Sequence, residues 1–297
     1  MPAALLDQLA ARLDARPLTR FAPAPTGYLH LGHVVNALWV WGVARALGGQ
    51  VLLRIEDHDA TRSRPKYERA LLEDLEWLGF IPDLMAPRQS ESGDVYARAL
   101  EQLAREHEVY ACECSRKTMA LESADLFGAE TRYAGRCRHL GLMPGNGRGT
   151  RLVLGPSVER FDDALLGVQE QEPDRQCGDL LVRDRLGQWT YQFAVTVDDL
   201  RQGVNLVIRG EDLLESTGRQ IRLGRMLGRP APPVFLHHGL IRRTDGSKLS
   251  KAARDTGVRE LREGGASPSA VLLEAARRGE VPAVIARSEA TKQSRRS

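Results

Sequence analysis

The chain runs to 297 residues, 42% hydrophobic and 27% charged, with a formal net charge of +3, which is room for one large or two modest domains of ordinary globular composition. The mildly basic balance permits an RNA partner without demanding one. No apolar run approaches the ~20 residues of a bilayer span, and four cysteines, three of them at 112, 114 and 137, suit metal binding in a reducing compartment better than a disulfide framework.

In chain order, Met1 to Ala15 carries Asp7 and Asp14 and lacks the apolar stretch of a signal peptide, so a cytoplasmic location with no membrane partner is expected. Val34 to Leu47 has helical spacing and stops at Gly48-Gly49. Val51 to Ile55 reads as a buried parallel strand. Pro65 to Leu78 is an amphipathic helix with Pro at its start and Gly79 past its end, and Tyr96 to His107 is another. From Tyr110 the alternation breaks into cysteines, a Gly-rich loop (Gly141 to Gly149) and strand-like stretches at Arg151–Leu154 and Leu180–Arg185. It resumes with a helix at Tyr191–Leu200, a strand at Asn205–Arg209, a helix at Leu213–Leu227 and a strand at Phe235–Ile241. Ser267 to Arg278 predicts a short helix, and the basic stretch Arg287 to Ser297 predicts a disordered tail. Strands alternating with helices imply an α/β fold, a doubly wound parallel (Rossmann-like) nucleotide-binding sheet whose ligand sits at the carboxyl ends of the strands.

Two short motifs point to chemistry. The first is Arg20-Phe21-Ala22-Pro23-Ala24-Pro25-Thr26-Gly27-Tyr28-Leu29-His30-Leu31-Gly32-His33, which sets two imidazoles and a Gly-containing turn at the mouth of a helix. Donors at a helix N-terminus are what a polyphosphate needs. The second, Lys248-Leu249-Ser250-Lys251-Ala252, offers two ammonium groups on a short loop, suited to clamping a phosphoryl group as its charge shifts. Either motif alone is more often a capping turn or a solvated loop; their order and the strand–helix pattern between them favour attack on the α-phosphate of ATP.

Together the motifs resemble those of the class I aminoacyl-tRNA synthetases, and Arg-Phe-Ala-Pro-x-Pro-Thr-Gly followed by Leu53-Arg54-Ile55-Glu56-Asp57 is similar to the glutamyl branch. The resemblance implies that His30, His33 and Lys251 bind ATP, with Lys248 supporting, and that magnesium accompanies the nucleotide. It also implies a glutamate site made of Arg20, Phe21, Ala22, Pro23 and Ala24 of the first motif with Glu56, Tyr191 and Arg209. The last two stand in Tyr191-Gln192-Phe193-Ala194-Val195-Thr196-Val197-Asp198-Asp199 and Ile208-Arg209-Gly210-Glu211-Asp212. Guanidinium forks suit a side-chain carboxylate, a phenol can donate, and a carboxylate can receive the substrate ammonium.

Cys112, Cys114 and Cys137 offer three soft ligands for a tetrahedral zinc, with the Tyr133 phenol or the His139 imidazole as the fourth. The glutamyl-queuosine tRNA(Asp) synthetases carry a similar Cys-x-Cys…Tyr-x-x-x-Cys pattern, and that resemblance favours Tyr133 and one structural zinc per chain, leaving Cys177 a plain thiol. After Lys251 only 46 residues follow, fewer than the anticodon-binding region of a full glutamyl-tRNA synthetase would require. The expectation is therefore a monomer that activates L-glutamate with ATP without tRNA and passes it to the queuosine base in the anticodon loop of tRNA(Asp). The competing readings are a truncated glutamyl-tRNA synthetase charging a 3′ end, a non-catalytic ATP- or RNA-binding zinc paralogue, and a different nucleotidyltransferase. The expected organisation is residues 18–109 and 191–241 as two halves of a catalytic domain, 110–190 as an inserted zinc-binding subdomain, 242–285 as the lysine loop with a short helical region, and 286–297 as a tail.

Overall fold

The computed structural model describes residues 2–115, 117–119, 126–127, 130–241 and 257–286. Lys248, Lys251 and Ala252, and the C-terminal stretch from Arg287, lie outside the described residues. An unanticipated helix, Pro2–Arg12, leads into strand β1 (Leu18–Phe21), a buried helix Leu31–Ala46 and strand β2 (Gln50–Leu53). β1 and β2 pair in parallel with Arg20 opposite Leu52, and β3 (Leu84–Met85) continues the sheet beside β2. Helix Leu31–Ala46 is apolar nearly all round because it is covered on both sides. A side chain at Gly42 would meet Ile285 Cγ2 at 2.4 Å and one at Gly279 would meet Val35 Cγ2 at 2.5 Å, so both glycines let the C-terminal segment close over it. Helix Pro65–Leu78 begins with proline and ends at Gly79, whose φ of 83° fits the left-handed cap.

The second half repeats the pattern. Helix Tyr191–Arg201 leads to β11 (Leu206–Gly210), and helix Thr217–Met226 leads to β12 (Val234–His238), which lies parallel to β11 with Arg209 opposite His237. β1 abuts β11, where the Asn205 amide donates to the Leu18 carbonyl at 3.1 Å. The strands thus run β3-β2-β1 and then β11-β12, two parallel sheets side by side with a switch point between β1 and β11. Strand periodicity sorts the residues. Phe21, Leu53, Ile208 and Leu236 pack in the core around helix Leu31–Ala46, and Leu52, Val207 and Phe235 pack with Ile221 on the opposite face. Arg20, Arg209 and His237 share that second face.

The middle segment is mostly antiparallel. β4 (Val109–Cys112), β7 (Gly149–Leu152) and β10 (Leu180–Arg183) form an antiparallel sheet, and the backbone of β5 (Leu126–Phe127) and β6 (Glu130–Thr131) forms a short hairpin. Between them a further hairpin, β8 (Glu159–Asp163) with β9 (Gly167–Gln171), rejoins the main body, where Asp163 lies opposite Phe235 of β12. Among the described residues no helix is long and apolar enough to cross a membrane.

Candidate active site

His30 caps helix Leu31–Ala46. Its Nδ1 accepts from the Gly32 amide at 3.1 Å, and His33 Nδ1 accepts from the His30 amide at 3.1 Å, a reciprocal box made of two imidazoles with ring centroids 4.0 Å apart. With each Nδ1 accepting, the proton of each neutral ring sits on Nε2, so both rings carry an N–H donor at a helix N-terminus. Gly32 permits this, because a Cβ there would stand 2.9 Å from His30 Cε1. Gly257 forms an antiparallel bridge with His30, and the Val258 amide donates to the Leu29 carbonyl at 2.8 Å. The first described residue after the lysine motif is thereby beside the histidines.

The residues expected around an amino acid converge at the strand ends. Arg20 is buried and donates through Nε to Asp199 Oδ1 at 3.2 Å and through Nη1 to the Ile208 carbonyl at 3.3 Å. Arg54, fully buried, contacts Asp199 at 2.8 Å, Glu56 at 3.3 Å and Asp198 at 3.8 Å. Burial alone would lower the Arg54 pKa, but Asp199, Glu56 and Asp198 hold it above its ordinary value. Asp199 stays below the usual carboxylate value because Arg20 and Arg54 outweigh its burial. Burial instead pushes the Glu56 carboxyl up, against the pull of Arg54, His58 and Arg20.

Arg209 differs. It is 3% exposed, and its hydrogen bonds go to neutral acceptors: Nε to His237 Nε2 at 3.0 Å, Nη1 to Gln220 Oε1 at 2.7 Å and Nη2 to Thr217 Oγ1 at 2.8 Å, with the Tyr191 phenol a further partner. No carboxylate among the described residues forms an ion pair with it, and burial, with Arg20 adding, lowers its pKa against the pull of Tyr191 and Asp199. Tyr191, the first residue of its helix, stands in the same electrostatic neighbourhood; burial pushes its phenol up, with Arg209 and Arg20 opposing and Glu56 and Asp199 adding. Within the first motif, Phe21 turns into the core against Trp41 at 5.2 Å, while the Phe21 and Pro23 carbonyls accept from the Arg54 and Glu56 amides. Ala22 and Ala24 are partly exposed. Arg54, Asp198, Asp199, Thr217, Gln220 and His237 had no assigned role from sequence, although the first three lie inside the quoted motifs.

The thiols of Cys112, Cys114 and Cys137 lie within 4.8 Å of one another. The Tyr133 hydroxyl sits 3.4 Å from Cys112 Sγ, and Tyr133 is 3% exposed. His139 is exposed and lies outside the group, so the structure brings Tyr133 and not His139 to the thiols. Arg151 donates to Cys112 Sγ at 3.3 Å and stacks over the Tyr133 ring at 3.6 Å, charge that suits a thiolate cluster. Three sulfurs and a phenol in this arrangement fit a four-coordinate soft metal, and the cluster could bind one. Cys177 is apart, donating to the Pro173 carbonyl at 3.2 Å. A cavity of about 270 Å³ is lined by Tyr133 and Arg151 at one side and by Tyr191 and Gln192 at another.

The sequence profile of the tRNA synthetases class I (E and Q), catalytic domain, matches residues 18–295. A glutamyl-Q tRNA(Asp) synthetase of Rhodobacter capsulatus is 40% identical over 270 residues, 85% of this chain and 97% of that protein. A second protein of that name, from Pseudomonas syringae, is 43% identical over 235 residues, 79% of this chain and 77% of its own length. Among solved structures, a glutamate tRNA ligase from Elizabethkingia meningosepticum in complex with its amino acid superposes with a TM-score of 0.75 at 28% identity, over 93% of this chain. The chain spans 64% of the length of that ligase.

Proposed function

This chain belongs to the class I glutamyl and glutaminyl tRNA synthetase family, and on that premise we propose that it activates L-glutamate with ATP, without tRNA, and transfers the glutamyl group to the queuosine base at the wobble position of tRNA(Asp). The observation that carries the amino-acid half is Arg209, a buried guanidinium with no carboxylate partner among the described residues. Leaving such a cation uncompensated costs several kcal/mol, and a substrate carboxylate removes the penalty. In this reading Arg209 and Arg20 hold the side-chain carboxylate, Tyr191 adds a hydroxyl donor, Glu56 receives the ammonium and the backbone of residues 20–24 lines the cleft. The names of the relatives support the acceptor half.

His30, His33 and the helix N-terminus hold the phosphates of magnesium ATP; Lys251, with Lys248 supporting, supplies positive charge to them from outside the described residues. An α-carboxylate oxygen attacks the α-phosphorus, a new O–P bond forms, and the bond to the bridging oxygen of pyrophosphate breaks. In the second step a queuosine hydroxyl attacks the activated carbonyl carbon, and AMP leaves. The protein supplies position and charge to both steps. Cys112, Cys114, Cys137 and Tyr133 would hold a zinc whose role would be structural rather than catalytic. The acceptor enters as an unpaired anticodon-loop base, which can be splayed out and held by stacking, and the chain acts as a monomer.

The test is glutamate-dependent ATP–pyrophosphate exchange without tRNA, followed by labelling of tRNA(Asp) carrying queuosine or guanosine. Exchange without tRNA, labelling with queuosine alone, and its loss after periodate cleavage of the diol are expected. Exchange that requires tRNA, or labelling of tRNA(Glu) at its 3′ end, overturns the reading in favour of an ordinary glutamyl-tRNA synthetase.

A further inference from the structure

We propose that His237 and Asp163 are positioning residues that aim Arg209 at the side-chain carboxylate of the amino acid. The proposal rests on the glutamate reading of that site. His237 Nε2 lies 3.0 Å from Arg209 Nε, which is always a donor, so Nε2 must accept. The ring proton then belongs on Nδ1, where Asp163 Oδ2 lies 2.6 Å away and accepts it. Both His237 and Asp163 are buried. Asp163 is itself fixed, since Oδ1 accepts from the Leu165 and Leu166 amides at 3.0 Å each and Oδ2 from the His237 amide at 3.1 Å. The imidazole plane is set by stacking on Phe235, with centroids 6.0 Å apart and 16° between planes.

The consequence for Arg209 is orientational. Its Nε is tied to His237, and Gln220 and Thr217 take one N–H from each amino group, so the guanidinium plane is pinned on three sides. The edge of the guanidinium that these three leave open is held in a fixed direction, which a bidentate carboxylate contact requires. A charged imidazole would instead present N–H to N–H at Arg209. Burial and the nearby positive charges of Arg209 and Arg20 keep the ring neutral, with Asp163 opposing. The carboxylate that orders this chain belongs to β8, in the middle segment, so that hairpin contributes to substrate choice although it touches no substrate.

The experiment compares His237→Leu, which removes the acceptor, with His237→Gln, whose amide oxygen restores one near Nε2. A hydrogen bond to a charged group is involved, so His237→Leu should raise the glutamate KM roughly 10- to 100-fold. The ATP KM and kcat should stay within about twofold, and His237→Gln should recover most of the loss. Nitrogen-15 spectra of the wild-type imidazoles, with His237 assigned by its absence from the Gln variant, supply a readout that needs no destabilised protein: a protonated Nδ1 and an unprotonated Nε2 are expected. Wild-type exchange with glutamate alongside an unchanged KM in His237→Leu overturns the positioning role and leaves the glutamate reading standing. A proton on Nε2 also overturns it. Absence of glutamate-dependent exchange in the wild type defeats the glutamate reading itself.

Discussion

Two buried arginines should respond to the same substitution in opposite ways. Arg54 holds three buried carboxylates, at 2.8 Å (Asp199), 3.3 Å (Glu56) and 3.8 Å (Asp198). Arg54→Met leaves Asp199 to Arg20 and Asp198 to Arg201 and takes from Glu56 its ion-pair partner, and breaking a buried ion pair on one side costs about 3–5 kcal/mol. At about 2 °C per kcal/mol for a chain of this size, the melting temperature should fall by about 6–10 °C. Arg209→Met removes a cation that forms no ion pair with a described carboxylate, so the lost desolvation cost compensates for the neutral partners that lose a donor, and stability should stay within about 2 kcal/mol of wild type. Function reverses the order. A bidentate contact from Arg209 to the substrate carboxylate, at about 1.5–3 kcal/mol for each of its two hydrogen bonds, amounts to about 3–6 kcal/mol, or roughly 10²- to 10⁴-fold in kcat/KM for glutamate. Differential scanning fluorimetry and pyrophosphate exchange at saturating ATP measure both quantities. Equal melting losses in the two variants, or an Arg209→Met enzyme with unaltered glutamate kinetics, would refute the assignment of Arg209 to substrate.

Asp74 is buried with both oxygens lacking a hydrogen bond, and burial, with Glu73 adding and Arg262 at 3.4 Å opposing, pushes its carboxyl up to about 6. Because the folded value lies above the unfolded one of about 3.9, the folded state binds the extra proton between them, and stability contributed by this group falls as pH rises from about 4 to about 6. Asp74→Asn should therefore stabilise by on the order of 1–3 kcal/mol at pH 8 and by little at pH 4, as followed by urea unfolding across that range. Cys112→Ser should lose the single bound metal in elemental analysis, and Cys177→Ser should keep it; the reverse pattern sinks the ligand set. Gly32→Ala should raise the ATP KM several-fold by displacing the His30 ring, while better helix propensity and a weakened cap, each about 1 kcal/mol, leave the melting temperature nearly unchanged.

Local signals were enough where a residue's role is set by its neighbours in sequence. Pro65 and Gly79 bracket a helix that runs Pro65–Leu78 as expected. The β8–β9 hairpin was missed because Glu159-Arg160-Phe161-Asp162-Asp163 looks like a polar loop. Glu159 and Asp163 are buried, at 1% and 0%, only because partners far along the chain meet them: Arg225 for Glu159 and the His237 amide and ring for Asp163. The lysine motif, legible as a motif, lies outside the described residues, and the structure adds only that Gly257 returns to His30.

The amino-acid site divides along the same line. Arg20, Glu56, Tyr191 and Arg209 were readable because each sits in a short motif with a fixed offset. What each does was not, since it depends on pairings across long separations. Arg54 meets Asp199 across 145 positions, and His237 meets Asp163 across 74. Arg54 and Arg209 are the same residue type, both buried, both two residues before an acidic side chain in their motifs. Arg54 is neutralised by its own Glu56 and by Asp198 and Asp199, whereas Arg209 faces only neutral acceptors. That difference in partners makes one arginine part of the scaffold and leaves the other with charge to give to a ligand, and it exists only once the two sheets stand side by side.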